Sequence, residues 1–333
     1  MAILVTGGAG YIGSHTVMEL LAQGEEVVVL DNLSKGHAEA VSPGLLVRGD
    51  VQDRGLLQRL LRQYEIEAVI HFAAYSLVGE SVQEPLKYYE NNVVAAQRLL
   101  TVMQEHGIKK FVLSSTAATY GEPRGIPIRE TDPTLPTNPY GETKLALEKM
   151  LHWCDQAYGI KAVALRYFNA AGAHPDGNIG EDHQPESHLL PLILQVALGQ
   201  RGVIAIYGDD YETKDGTCIR DYIHVMDLAQ AHRLALNFLR EKGTGGIYNL
   251  GNGQGFSVKE VIARARVITG HPIPSRISER RAGDPAVLVA SAEKAQAELG
   301  WQPAYSGLDE IIASAWNWHR KHPRGYADQE TQS

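Results

Sequence analysis

The sequence predicts an α/β fold: a doubly wound parallel sheet followed by a smaller mixed α/β lobe. Short apolar runs in the first half alternate with helical stretches, and each run is nearly continuous in apolar character. Such runs are typical of strands buried on both faces of a parallel sheet. A glycine-rich stretch directly after the first run favours the same fold. The predicted strands are residues 3–6, 27–30, 45–47, 68–72, 111–115 and 162–166, and the predicted helices include 14–23, 56–63 and 92–106.

The composition of the chain changes after residue 168. Residues 169–188 are rich in Gly, Pro, Asp and His and predict a long loop. Later segments predict helices at 190–198, 225–240, 257–269 and 292–299 and strands at 203–207, 222–224 and 246–250. We therefore expect a first domain over residues 1–168, with segments around 221–252 returning to it. A second lobe is expected over 169–220 and 253–322, and a frayed tail over 323–333.

Composition and charge exclude several classes of protein. The formal net charge of −8 over 333 residues argues against a nucleic-acid-binding surface. No window approaches the roughly 18–20 apolar residues of a membrane span, and no signal peptide precedes the first strand. Two cysteines, Cys154 and Cys218, are too few for a disulfide framework. We expect a cytoplasmic protein that contacts neither membrane nor nucleic acid.

A dinucleotide site is predicted where the first strand meets the first helix. Gly7, Gly10 and Gly13 form a turn without side chains, which lets the backbone approach a pyrophosphate at the positive end of the helix. Asp31 ends the second strand, where a carboxylate binds a ribose diol and repels a 2′-phosphate, so NAD is favoured over NADP. Asp50 is placed for the adenine amino group, and small residues after the fourth strand, Phe72-Ala73-Ala74, allow close passage of the cofactor. The alternative is that the glycines serve an ordinary turn, Asp31 a helix cap and Asp50 a turn.

Three further residues predict redox chemistry at a hydroxyl. Tyr140 and Lys144 are four residues apart after Asn138-Pro139, a helix-starting signature, and therefore share a helix face. A lysine cation beside a phenol lowers the phenol's pKa from its usual value near 10. Thr116 ends the fifth strand, at the sheet edge where the cofactor is expected. Together they would take a proton from an alcohol while hydride leaves for NAD. The alternative is that the pair arises by chance and that Thr116 only ends a strand.

These motifs resemble those of a known family. Residues 6–13 (TGGAGYIG), 114–116 (SST) and 140–144 (YGETK) resemble the extended short-chain dehydrogenases, which have a Rossmann fold. Residues 165–173 (LRYFNAAGA), 217–225 (TCIRDYIHV) and 281–284 (RAGD) are similar to the nucleotide-sugar 4-epimerases that act on UDP-glucose and UDP-galactose. The resemblance extends from residue 1 to about residue 319.

The resemblance implies an isomerase of galactose metabolism that keeps NAD bound, passes through a 4-keto sugar and works as a homodimer. It implies Thr116, Tyr140 and Lys144 as catalytic residues, with Tyr140 as the base. It adds to the cofactor site Tyr11, Ile12, Asn32, Val51, Ser76, Asn91, Ser114, Tyr140, Lys144 and Phe168. It assigns to the UDP-hexose Thr116, Tyr140, Asn169, His188, Leu189, Ala205, Ile206, Tyr207, Arg220, Arg281, Asp284 and Leu288.

Some positions depart from the family pattern. Ser76 stands where many members have a lysine near the nicotinamide, which removes a charge contact to the cofactor. Thr116 replaces a common serine and His188 an asparagine. Leu288 replaces a bulky tyrosine, which leaves room for a 2-acetamido group and suggests activity on UDP-N-acetylhexoses.

Two other functions and a metal site are the alternatives to this interpretation. A nucleotide-sugar dehydratase or decarboxylase shares the fold, but a dehydratase needs an acidic pair where this chain has Ala117-Ala118. A non-catalytic NAD-binding regulator would typically lack the tyrosine or the lysine. The 13 histidines show no metal-ligand spacing, so no metal site is expected.

Overall fold

The first domain is built on a seven-stranded parallel sheet. The computed structural model describes residues 1–42, 44–281 and 284–327. The strands are β1 (Ala2–Thr6), β2 (Glu26–Asp31), β3 (Leu46–Arg48), β4 (Ile66–His71), β5 (Lys110–Thr116), β6 (Lys161–Tyr167) and β10 (Gly246–Leu250). Their order in the sheet is β10-β6-β5-β4-β1-β2-β3, and all neighbours run parallel. After β3 the chain returns to the other side of β1 and forms β4 there. The reversal of strand order between β1 and β4 is the switch point where such sheets bind ligands.

Helices cover both faces of this sheet. They are α1 (Tyr11–Ala22), α2 (Arg54–Gln63), α3 (Val78–Gln83), α4 (Pro85–Tyr88), α5 (Ala95–Glu105), α6 (Pro139–Tyr158) and α8 (Val225–Lys242), with a π-helical stretch (Tyr89–Val94) leading into α5. Ile3 and Val5 belong to one hydrophobic core and Leu4 to the other. Alternate residues of a strand point to opposite faces, so both faces of β1 are buried. The predicted doubly wound sheet is confirmed.

The second lobe contains two small sheets and three helices. Its strands are β7 (Asn169–Ala171), β8 (Ile204–Tyr207), β9 (Ile219–His224), β11 (Gly255–Ser257), β12 (Ser275–Ser278) and β13 (Val287–Leu288). Strands β11, β9 and β13 lie side by side with β7 paired to β9, while β8 pairs only with β12 among the described residues. Helices α7 (Leu189–Ala197), α9 (Val258–Thr269) and α10 (Leu308–Lys321) pack around a separate apolar core.

Two boundaries differ from the predicted ones. Residues around 221–252 were expected to return to the first domain; α8 and β10 pack there, whereas β9 joins the small sheet of the second lobe and contributes Ile223 to the first domain's core. Asp221 in β9 accepts backbone N–H groups from Asn252 and Ala290, which ties the strand to the second lobe. The tail also remains packed as far as Tyr326, which is 3% exposed and stacks on His37 at a centroid distance of 4.7 Å. Residues 328–333 lie outside the described residues.

None of the described helices combines the length and the apolar content that crossing a bilayer requires.

Candidate active site

The glycine-rich turn between β1 and α1 has no room for side chains on its inner surface. A Cβ on Gly7, where φ is +71°, would lie 2.5 Å from the backbone nitrogen of Ala73. A Cβ on Gly13 would lie 2.3 Å from the carbonyl oxygen of Gly7. Gly10 is the N-cap of α1 and no side chain caps that end. The first backbone N–H groups of the helix are therefore available to an anion, as a pyrophosphate requires.

Asp31 lies beside this turn, at the end of β2. Its Oδ2 accepts the N–H of Ala9 at 3.0 Å and its Oδ1 that of Leu33 at 2.8 Å. Burial raises the pKa of this carboxyl group, and these two backbone hydrogen bonds oppose the rise. A carboxylate has about four acceptor positions, so it can still accept the two hydroxyl protons of a ribose. Asn32 donates to Asp50 Oδ2 at 2.8 Å, which places both at the same sheet edge.

The end of β4 is joined directly to the turn. The N–H groups of Phe72 and Ala73 both donate to the carbonyl of Thr6, at 2.8 and 3.1 Å. Asn92 holds the following loop through both the N–H and the carbonyl of Tyr75, at 2.8 and 3.0 Å. These hydrogen bonds fix the loop segment that contains Ala74 and Ser76, two of the predicted cofactor residues. A third predicted residue, Asn91, donates a hydrogen bond to Asn92.

The remaining cofactor candidates lie near this edge but differ in what their side chains do. The hydroxyl of Tyr11 donates to the carbonyl of Gly172 at 2.6 Å and so links the turn to the second lobe. Val51 is buried in the hydrophobic core, and Ile12 packs against the core on the other face. Ser114 hydrogen-bonds to the hydroxyl of Tyr167, next to Phe168 at the end of β6.

Tyr140 and Lys144 are presented by the first turns of α6. Asn138 caps this helix by accepting the N–H of Gly141 at 2.9 Å, and Pro139 occupies its first position. Lys144 is 2% exposed, and its Nζ donates to the carbonyl of Ser114 at 2.7 Å. Burial lowers the pKa of Lys144 to about 8, although the nearby carboxylate of Glu148 opposes this effect.

Thr116 lies next to Tyr140, as the sequence predicts. Burial raises the pKa of Tyr140 above its usual value, and a hydrogen bond with Thr116 partly opposes this rise. Desolvation of the phenol is the largest cause of this rise. Lys144 directs its ammonium group at the carbonyl of Ser114.

A buried ion pair under these residues was not predicted. Arg166 on β6 contacts Glu148 on α6 at 2.5 Å, and both side chains are 3% exposed. The hydroxyl of Ser115 also donates to Glu148, at 2.5 Å. The ring of Tyr120 lies 4.8 Å from the Arg166 guanidinium. One signal was available in the sequence, because Glu148 follows Lys144 by one helical turn and lies on the same face.

The predicted substrate residues of the second lobe form two pairs. Arg220 Nη2 contacts Asp284 Oδ1 at 2.5 Å, and Nη1 donates to the carbonyls of Ile219 and Pro285. The guanidinium of Arg281 lies 4.0 Å from the centroid of the Tyr207 ring. Both arginines are thus positioned before any ligand binds, by a carboxylate in one case and by an aromatic ring in the other.

The other predicted substrate residues lie at the ends of second-lobe elements. Leu288 on β13 is aligned with Arg220 on β9, whereas the side chain of Ile206 is buried in the lobe's core. His188 caps α7, and its Nδ1 lies 2.8 Å from Glu181 Oε1, so a carboxylate already engages this side chain. Asn169 begins β7, Leu189 begins α7 and Ala205 lies in β8.

Comparisons with known proteins agree with this geometry. Residues 3–251 match the model of the NAD dependent epimerase/dehydratase family. The UDP-glucose 4-epimerase of Halalkalibacterium halodurans is 65% identical over 329 residues, which cover 99% of this chain and 98% of that protein. A crystal structure of a UDP-glucose 4-epimerase superposes with a TM-score of 0.96 at 57% identity, covering 98% and 99% of the two chains. The enzyme of that name from Bifidobacterium longum, solved with NAD+ and UDP, has a TM-score of 0.93 at 43% identity, covering 98% and 100%.

Proposed function

The chain belongs to the NAD dependent epimerase/dehydratase family, and from this membership we propose that it interconverts UDP-glucose and UDP-galactose by inverting carbon 4 of the hexose. The observation that carries the proposal is the group of Thr116, Tyr140 and Lys144, gathered at the sheet edge that adjoins the glycine-rich turn. The alignments with relatives named UDP-glucose 4-epimerase cover nearly the whole chain.

The residues at the sheet edge fit NAD. The uncapped start of α1 receives the pyrophosphate, and Asp31 accepts hydrogen bonds from the adenosine ribose. Lys144 binds the nicotinamide ribose, since a buried ammonium group with one hydrogen bond to Ser114 has further protons to donate. NAD held by these residues would supply the acceptor for a hydride from carbon 4 of the sugar and the donor for its return to the opposite face.

Tyr140 handles the proton of the sugar's 4-hydroxyl. As hydride leaves carbon 4, the phenol oxygen takes the hydroxyl proton and leaves a 4-keto sugar; on reduction from the other face, it gives the proton back. Because burial raises the pKa of Tyr140, the phenol needs hydrogen bonds or positive charge to become a base. Thr116 supplies the hydrogen bond, and Lys144 supplies the charge when it is protonated.

The second lobe holds the UDP group while the sugar turns. Arg220 and Arg281 bind diphosphate oxygens through planar, charge-assisted hydrogen bonds. Asp284 bonds a ribose hydroxyl after releasing Arg220, and Tyr207 packs near the uracil. Anchoring at the nucleotide and freedom at the hexose let the keto sugar present its second face.

A dehydratase is the alternative that the site disfavours. Elimination of water needs an acid next to the reacting sugar. The residues after Thr116 are alanines in a 3₁₀ turn, Ala117–Thr119, and bring no carboxyl group to the site. The buried Glu148 is engaged by Arg166 and Ser115.

We further propose a cytoplasmic homodimer. Trp153 on α6 is 69% exposed and Tyr89, in the π-helical stretch, is 41% exposed. Large exposed aromatic side chains on helices are typical of a surface that a second subunit covers. Light scattering coupled to gel filtration gives the mass directly, and a monomer at working concentration would contradict this proposal.

The function is tested by mixing the purified protein with UDP-galactose and no added NAD. We expect UDP-glucose to accumulate until equilibrium, since hydride returns to the sugar from which it came. A steady rise of NADH would instead identify a dehydrogenase, and no turnover with NAD bound would identify a regulator.

The matched variants are Tyr140→Phe and Tyr158→Phe, at the two ends of α6. The first removes the phenol that exchanges the proton and should lower kcat by about 10²–10⁴-fold. The second alters an exposed tyrosine and should leave kcat unchanged. Equal activities of the two variants would remove Tyr140 from the mechanism.

A further inference from the structure

A cluster of two histidines and two glutamates lies in the loop before α7, and one of its members, His188, is also a predicted substrate residue. The ligand atoms of Glu181, His183, Glu186 and His188 lie within 4.8 Å of one another, the one such group found among the described residues. The sequence does not predict this site, because the spacing of these residues follows no familiar metal motif.

The distances within the cluster resemble those between the ligands of one ion. Glu181 Oε1 lies 2.8 Å from His188 Nδ1 and 3.2 Å from His183 Nδ1. Glu186 lies 3.3 Å from His188 Nδ1 and 3.7 Å from His183 Nδ1. Ligands bound to zinc at 2.0–2.1 Å in a tetrahedron are roughly 3.3–3.5 Å apart.

Hydrogen bonds do not satisfy every buried atom of the cluster. Glu181 Oε1 and His183 Nδ1 are buried, yet neither has a hydrogen-bond partner. Glu181 is only 4% exposed. An unpartnered buried carboxylate oxygen is costly, and this one lies close to the Nδ1 atoms of both histidines. A cation between the four side chains would give both of these buried atoms a partner.

We propose that Glu181, His183, Glu186 and His188 bind one Zn²⁺ ion as a structural site. Two imidazole nitrogens and two carboxylate oxygens are ligands that Zn²⁺ accepts in a tetrahedron. The charge of the ion balances the two carboxylates, so a neutral cluster can be buried.

The position of the cluster gives the ion a structural task. The indole of Trp318 on α10 donates to the carbonyl of Glu181 at 3.1 Å, which ties the loop to the second lobe. The edge of the Tyr11 ring, next to the glycine-rich turn, faces His183 at a centroid distance of 6.2 Å. His188 is the N-cap residue of α7. A bound ion would therefore hold the start of α7 against the turn.

Without an ion the same residues would form an ion-paired cluster. The two carboxylates outweigh the effect of burial and raise the pKa of His183 to about 9. Two protonated imidazoles would then balance the two carboxylates. The proposal and this alternative differ in one measurable quantity, the stoichiometry of bound metal.

The test uses the full-length chain without a histidine tag. The protein is stripped with a chelator, dialysed, titrated with ZnCl₂ by calorimetry, and assayed for metal by mass spectrometry. We expect about one zinc ion per chain. A matched set of variants consists of His183→Gln and Glu186→Gln in the cluster and His152→Gln on the exposed surface of α6.

The two cluster variants should bind zinc at least tenfold more weakly, while His152→Gln binds it as the wild type does. Failure of the wild type to bind a stoichiometric ion overturns the proposal, as does unchanged binding by both cluster variants. Cobalt(II) provides a check that needs no variant, because a tetrahedral site gives intense visible absorption. Weak absorption, as in hexaaqua cobalt, would also overturn the proposal.

Discussion

Two arginine–carboxylate pairs of this protein have similar contact distances but different surroundings. Arg166 and Glu148 support the catalytic helix, approach to 2.5 Å and are each 3% exposed. Arg220 and Asp284 lie in the second lobe at 2.5 Å, with side chains 11% and 28% exposed. The first pair is sealed under Tyr140 and Lys144, whereas the second is reachable by a ligand. Burial, more than distance, separates a pair that holds a site rigid from a pair that can exchange partners.

The difference matches the two tasks of an epimerase. Proton exchange at Tyr140 requires fixed geometry, which the buried network of Arg166, Glu148 and Ser115 supports. Binding and release of the nucleotide require groups that return to a defined position when the ligand leaves. Asp284 can hold Arg220 in place until a diphosphate arrives, so the arginine never faces solvent without a partner.

The largest expected effect is on the buried side of the comparison, at Lys144. Lys144→Met keeps a similar volume but removes the ammonium group that donates to Ser114. Loss of the charge next to Tyr140 and of the ribose contact should lower kcat by about 10²–10⁴-fold and reduce the NAD retained on purification. Steady-state kinetics and release of NAD after heat denaturation measure both effects.

Lys149→Met is the control, since Lys149 is exposed on the same helix. If both variants keep wild-type activity and NAD content, Lys144 has no role in the reaction.

The second prediction concerns the stability of the buried pair. Glu148→Gln leaves the Arg166 guanidinium buried without its counter-charge. We expect the free energy of unfolding to fall by about 3–5 kcal/mol, as for other buried pairs that lose one partner. Urea denaturation followed by circular dichroism gives this value. Glu142→Gln, at an exposed position of the same helix, should change it by less than about 0.5 kcal/mol. A similar small change in Glu148→Gln would show that the pair is dispensable.

The sequence reveals the features behind these two predictions to different extents. The glycine-rich turn, Asp31 and the start of α6 were predictable, because each depends on a local pattern of a few residues. The pair of Arg166 and Glu148 joins a strand to a helix and could be found only once the fold brought them together. For the same reason, the sequence placed Tyr140 beside Lys144 but could not show that burial dominates the pKa of the phenol.

The second lobe was less predictable because its strands are short. Strand β9 was assigned to the first domain, since alternation of elements says nothing about which sheet a strand joins. The His–Glu cluster was also missed, because it depends on how a loop folds around Glu181 and not on a regular spacing. Long, periodic elements were predicted well, and contacts made by loops were not.

The third prediction tests the exchange of partners in the second lobe. Asp284→Asn removes the counter-charge of Arg220, but the guanidinium is still partly exposed and keeps its hydrogen bonds to the carbonyls of Ile219 and Pro285. We expect the unfolding free energy to change by less than about 1 kcal/mol. The KM for UDP-galactose should rise by roughly 5–100-fold, the equivalent of a charged hydrogen bond worth about 1–3 kcal/mol, with kcat nearly unchanged. A fall in kcat with constant KM would mean that Asp284 acts on the chemical step and not on binding.

The smallest effect is expected at Leu288, which is aligned with Arg220 across two parallel strands. If this side chain lines the space next to the sugar, its modest size leaves room for a 2-acetamido group, and the wild type should epimerise UDP-N-acetylgalactosamine as well as UDP-galactose. Leu288→Tyr should then lower kcat/KM for the acetamido substrate by roughly tenfold or more, since a steric clash with one group is worth about 1–3 kcal/mol. The value for UDP-galactose should change little, which makes it the internal control. If the wild type does not turn over the acetamido substrate at saturating concentration, another residue closes the pocket. If Leu288→Tyr loses activity equally on both substrates, Leu288 supports the strand beside Arg220 and does not select the sugar.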